Sequence, residues 1–218
     1  MLKVTSLVVG VVSTNCYLAV DADTREAAVI DPGDNAKAIL ELVRAEKADV
    51  RYIFLTHGHF DHILALDEVR RATGAQCVIH EADAAYLSDP GLSNPFGRLN
   101  TARTAAEVLA REGDAFPLGA YRFEVLHTPG HTPGSACFRV MTPDGERDGV
   151  LFTGDTLFED DCGRCDLPGG DYGVMLGSLR RLASLEGDYD VYPGHDVSTI
   201  LSRERKRNGN MLEALEAR

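Results

Sequence analysis

Positions 2–12 and 15–20 are rich in apolar and β-branched residues, with the polar pair Ser13-Thr14 between them. The pattern predicts two antiparallel strands joined by a turn. A second turn at 21–24 leads to a third strand at 27–30, which Asp31-Pro32-Gly33 ends: proline fixes φ and glycine accepts a left-handed bend. Asn35 then opens a helix with Ile39, Leu42 and Val43 on one face, ending near Lys47. The apolar run at 50–55 is a further strand. A helix at 63–71 turns Leu66 and Val69 inward and stops at Gly74, followed by a buried strand at 77–79 and a short helix at 81–87.

The periodicity weakens between 88 and 113, where Asp89-Pro90-Gly91 and Asn94-Pro95-Phe96-Gly97 are turn-rich and 102–110 is at most loosely helical. Such a segment is expected to wall a substrate cleft. Strands resume at 121–126, 136–140 and 150–152, with a turn at Pro143-Asp144-Gly145 before the third. Leu176, Leu179 and Leu182 mark a helix at 175–185, a short strand follows at 191–192, and 198–217 reads as a terminal helix. The strands fall into two groups, each followed by helices, without a Pro- or Ser-rich linker or a repeat of solenoid period. The expectation is one domain over 1–218 in the α/β class: an αββα sandwich of two mixed sheets with helices on the outer faces.

Composition narrows the partners. A net charge of −12 argues against sequence-independent nucleic-acid binding, which needs positive charge, but leaves room for a small substrate. No stretch approaches the ~20 apolar residues of a membrane span, and the N-terminus has no signal-peptide pattern. Five irregularly spaced cysteines suit a reducing compartment rather than a disulfide framework. A cytoplasmic protein without nucleic-acid or membrane partners is expected.

The chemistry concentrates in His57-Gly58-His59-Phe60-Asp61-His62, directly after the strand ending at Leu55. Three of the seven histidines fall within these six residues. Neutral imidazoles and carboxylates at this density are ligands for zinc and other divalent transition metals, whereas a plain polar loop has no need of them. Three more candidates share the placement at the end of an apolar run, each directly after a glycine: His131, Asp155 and His195. Singly, each is an ordinary loop histidine or turn aspartate. Together with the first cluster they make seven donors, too many for a single catalytic ion and suited to two ions sharing a carboxylate. His127, two residues before Pro129, is expected to be structural or to support a ligand from behind rather than to bind metal itself.

The stretch H-x-H-x-D-H, followed in order by His131, Asp155 and His195, resembles the metallo-β-lactamase superfamily. Thr14-Asn15-Cys16-Tyr17-Leu18, Thr56, His127-Thr128-Pro129-Gly130-His131-Thr132-Pro133-Gly134-Ser135, Gly154-Asp155-Thr156-Leu157-Phe158, Gly163-Arg164 and Pro193-Gly194-His195 carry the likeness toward short relatives of glyoxalase II, the hydroxyacylglutathione hydrolases. The resemblance implies two divalent ions, with zinc first and iron or manganese also suitable. One would be held by His57, His59 and His131, the other by Asp61, His62 and His195, with Asp155 bridging. Asp61 would be catalytic, orienting a bridging hydroxide toward the carbonyl of a thioester such as S-lactoylglutathione. Arg164 matches a position that contacts substrate in the family.

The chain departs from full-length glyoxalase II in two places. Only one predicted helix follows His195, where that enzyme has a helical domain supplying much of its glutathione pocket. The run Cys165-Asp166-Leu167-Pro168-Gly169-Gly170-Asp171 lacks the aromatic that contacts thiol substrate there. Alternatives therefore stay open: a mononuclear iron persulfide dioxygenase using His57, His131 and Asp155, a lactonase, a β-lactamase, or a metal-stabilised binding module. Cys162-Gly163-Arg164-Cys165 has redox spacing but no thioredoxin-like context. The run 203–207 reads as a solvated helix face or a contact in a homodimer.

Overall fold

The computed structural model describes residues 1–97, 103–142 and 149–216. Its first sheet sets β1 (Leu2–Val9), β2 (Thr14–Asp21), β3 (Glu26–Ile30), β4 (Asp49–Phe54), β5 (Gln76–His80) and β6 (Val108–Ala110) side by side in chain order. β1 to β3 pair antiparallel, while β3 to β6 run parallel. The second sheet orders β7 (Ala115–Leu118), β8 (Tyr121–His127), β9 (Ala136–Met141), β10 (Gly149–Gly154), β11 (Tyr189–Pro193) and β12 (Thr199–Ile200) in the same way. Only β10 and β11 are parallel there.

Both sheets are mixed, and alternation along the strands gives each sheet two apolar faces, one toward the other sheet and one toward the helices. In β2, Tyr17 and Ala19 face the second sheet while Leu18 and Val20 face the helices, so every residue of the strand is buried. Phe54, Phe123, Phe138 and Phe152 fill the space between the sheets; Phe54 stacks on Phe123 with ring centroids 5.1 Å apart. Outside the first sheet, α1 (Ala36–Ala45) and α3 (Leu66–Thr73) bury Ile39, Val43, Leu66 and Val69. Outside the second, α5 (Tyr172–Ala183) and α7 (Gly209–Glu216) bury Met175, Leu179, Leu182 and Met211. The result is the expected αββα sandwich. Among the described residues no helix is long and apolar enough to cross a membrane.

Several local expectations need correction. The helix expected at 63–71 is two pieces, α2 (Phe60–Ile63) and α3, and the turn-rich segment after 88 opens with one short helix, α4 (Pro90–Ser93). Of the loose helix expected at 102–110, residue 102 lies outside the described residues and the C-terminal part is β6, which pairs with the otherwise open edge of β5. The turn at 143–145 also lies outside the described residues. The single terminal helix becomes β12, α6 (Leu201–Arg207) and α7. Asn208 makes the break: its Oδ1 accepts from Met211 N at 3.1 Å, and its Nδ2 donates to Asp161 O at 2.9 Å.

The basic run is not simply a solvated face. Glu204 is wholly buried and accepts from Thr199 Oγ1 and from Asp160 N. Arg205 donates to the carbonyls of Ala183, Leu185 and Gly187, tying down the chain that leaves α5. Only Lys206 and Arg207 are exposed.

Candidate metal centre

The candidate donors gather because parallel strands end at one edge of the sandwich. Asp31 follows β3, His57 follows β4, Asp155 follows β10 and His195 follows β11, while His131 lies in the β8–β9 connection. Loops at the carboxyl ends of parallel strands converge naturally. All seven sequence-predicted donors meet there. Donor atoms of His57, His59 and His131 lie within 4.8 Å of one another, as do those of Asp61, His62 and His195, and those of His57, His62 and Asp155.

Asp155 stands between the first two triads. Its Oδ1 is 3.5 Å from His62 Nε2, and its Oδ2 is 3.4 Å from His131 Nε2 and 3.6 Å from His195 Nε2. Asp61 Oδ2 is 3.4 Å from His62 Nε2 and 3.3 Å from His195 Nε2, and accepts from Thr14 Oγ1 at 3.0 Å.

Supporting residues fix these side chains. His131 Nδ1 lies 2.7 Å from the carbonyl oxygen of Arg164, which can only accept. That nitrogen therefore carries the proton, and Nε2 presents its lone pair to the cluster. His62 Nδ1 lies 2.9 Å from Asp31 Oδ2, and Asp31 is itself held by Thr56 N and Oγ1 at 2.8 and 2.7 Å. Asp83, fully buried, bolts two loops together: it accepts from Gly58 N on one, and from Gly134 N and Thr132 Oγ1 on the other. Gly194 is required by space, since a Cβ there would sit 2.3 Å from Asp155 Oδ1.

Electrostatics favour a cation. Burial and the neighbouring imidazoles hold His57 well below its ordinary pKa, and burial with His131 lowers His59 to about 3, so both are neutral ligands. Burial opposes charge on His62, but Asp61, Asp31 and Asp155 prevail and raise it to about 10. His57 Nε2, His59 Nε2, His62 Nε2 and Asp155 Oδ1 are buried without a hydrogen-bond partner. Orphaned polar atoms are rare and costly in an apolar interior, and here they converge on one point beside an excess of carboxylate. This donor set fits divalent metal.

The sequence profile described as the Metallo-beta-lactamase superfamily matches residues 9–195. The chain belongs to this superfamily. A relative from Haemophilus influenzae named hydroxyacylglutathione hydrolase is 33% identical over 198 residues, covering 89% of this chain and 91% of its own. The solved B3 metallo-beta-lactamase BLEG-1 is 33% identical with a TM-score of 0.86, over 96% of this chain and 99% of its own. A second solved relative, TTHA1623, was determined in a di-iron-bound form and is 32% identical with a TM-score of 0.80, over 94% of this chain and 98% of its own. This superfamily member thus pairs a hydrolase-type fold with a His/Asp cluster able to bind metal.

A cavity of about 370 Å³ opens beside the cluster, with His59, Asp61, His131, Asp155 and His195 in its wall. Arg164 also lines it, as do Ser93 to Phe96 from the turn-rich segment; residues 98–102 lie outside the described residues. His127 stands apart, its ring stacked on His80 at 3.9 Å and its Nε2 2.9 Å from Pro133 O. Cys162 and Cys165 are free thiols packed against the outer core of the second sheet, and burial pushes Cys162 up to about 12, away from reactivity.

Sequence reasoning passed over Asp31 and Asp83. Asp31 read as a turn former before Pro32, and Asp83 as part of a short helix. A carboxylate at the end of a strand parallel to the histidine-bearing one was the available signal for Asp31. Nothing local distinguishes Asp83.

Proposed function

We propose that this chain is a dinuclear metal-dependent thioester hydrolase whose metal site resembles that of the hydroxyacylglutathione hydrolases. The observation that carries the reading is the pair of donor triads with Asp155 between them. His57, His59 and His131 would hold one ion, and Asp61, His62 and His195 the other, with Asp155 shared. Zinc suits this donor set first, and iron and manganese suit it as well. When bound, two such ions would make water nucleophilic near neutral pH and polarise a carbonyl.

The chain's own residues do the rest. Thr14 donates to Asp61 and fixes its carboxylate, which accepts a hydrogen bond from the attacking water and aims it. The carbonyl of Arg164 and the carboxylate of Asp31 hold His131 and His62 in one orientation, so these two donors are positioned in advance. A thiolate leaves readily, so the site needs no strong acid. The similarity to the Haemophilus influenzae hydrolase supports the thioester class.

A mononuclear iron oxygenase would use His57, His131 and Asp155 and leave the crowding of Asp61, His62 and His195 without a purpose. The test is turnover of S-lactoylglutathione by the metal-loaded protein under nitrogen. Release of free thiol without oxygen supports hydrolysis. Oxygen uptake with glutathione persulfide, and no thiol release, would replace it with the dioxygenase. Turnover of a β-lactam alone would move the chain toward the activity that BLEG-1 is named for.

A further inference from the structure

Beyond the donors, the cavity wall is largely apolar. Val12, at the tip of the β1–β2 hairpin, Phe60, Phe96 and Leu167 all line it. Phe96 keeps 53% of its surface exposed, so part of its ring is open to whatever enters the cleft. Arg164 is the one cation other than histidine among the described lining residues.

Its guanidinium is already engaged. Arg164 Nε and Nη2 donate to Asp166 Oδ1 and Oδ2 at 2.6 and 2.7 Å, the two-pronged geometry a substrate carboxylate would need. The guanidinium carbon lies 5.8 Å from the centroid of the Phe96 ring. A carboxylate brought to this arginine meets the like charge of Asp166 at the same prongs. An anionic arm laid against Val12 and Phe96 would also lose its water for an apolar wall.

Resting on the thioesterase reading above, we infer that this cleft selects thioesters with an uncharged, apolar thiol arm, and that Asp166 sets the selectivity by neutralising Arg164. Glutathione, with its two carboxylates, is then a disfavoured arm. Asp166 acts here by exclusion: it withdraws the one positive charge that would reward an anionic substrate.

The test compares S-benzyl thioacetate with S-acetylglutathione, which share an acyl group, on the metal-loaded enzyme. The wild type is expected to favour the benzyl thioester in kcat/KM by about tenfold. Asp166→Asn should move that ratio toward S-acetylglutathione by about fivefold, the scale of one exposed ion pair. Phe96→Ser should raise KM for the benzyl thioester more than it lowers kcat. Preference of the wild type for S-acetylglutathione, or a ratio unmoved by Asp166→Asn, overturns the inference and leaves the thioesterase reading standing. No hydrolysis of either compound overturns both.

Discussion

Asp31 Oδ2 lies 2.9 Å from His62 Nδ1, with both side chains almost wholly buried. Asp31 holds a left-handed backbone conformation, φ 51°, while accepting from both Thr56 donors. The strain is supported by three contacts, and the pairing turns His62 Nε2 toward Asp61 and Asp155. Asp31→Asn keeps the shape and removes the charge. It should weaken metal binding by about 10- to 100-fold. Competition with a chromophoric chelator measures this; unchanged affinity would show that His62 needs no such partner.

Asp83 ties the two histidine loops through donors on Gly58, Gly134 and Thr132. Asparagine in its place presents an N–H to one of these donors, leaving that donor unpaired. Asp83→Asn should therefore cost about 1–3 kcal/mol of stability. Denaturant unfolding reads the loss directly, and an unchanged midpoint would contradict the bolt.

Gly194 leaves no room for a side chain between Asp155 and His62. Gly194→Ala should displace one of them and lower kcat by roughly 100-fold, the penalty for misplacing reacting groups by about 1 Å. The three hydrophobic clusters do not include this position, so the circular dichroism spectrum should keep its wild-type form. Wild-type turnover would mean that the site tolerates the shift.

Chelation should abolish turnover while leaving the sandwich folded. The donors sit at an edge, and the cores between and outside the sheets are assembled without them. Retained far-ultraviolet dichroism with lost activity, restored by added zinc or iron, is the expected result. Unfolding on chelation would make the metal structural.

Much of this was legible in the sequence because it is written in strong local signals. Runs such as Ile53-Phe54-Leu55 are buried on both sheet faces, and strand ends carrying His57, Asp155 and His195 announce a shared edge. What was hidden depends on long-range pairing. β6 is a strand only because β5 offers an edge, and its three residues have no period of their own. The break at Asn208 follows from partners at Asp161 and Met211, one of them 47 residues away. The run 203–207 reads as surface charge, yet Glu204 is buried by contacts with Asp160 and Thr199. Asp31 and Asp83 act through hydrogen bonds to residues 25 to 51 positions distant, which no window of sequence displays.

Metal stoichiometry decides between a dinuclear and a mononuclear centre. Elemental analysis of the purified protein, alongside Asp155→Ala, counts the ions that the two triads hold. Two ions per chain in the wild type, with fewer than two in the variant and no thioester turnover, is the predicted result. One ion per chain at saturating metal, unaffected by loss of Asp155, would contradict a dinuclear centre.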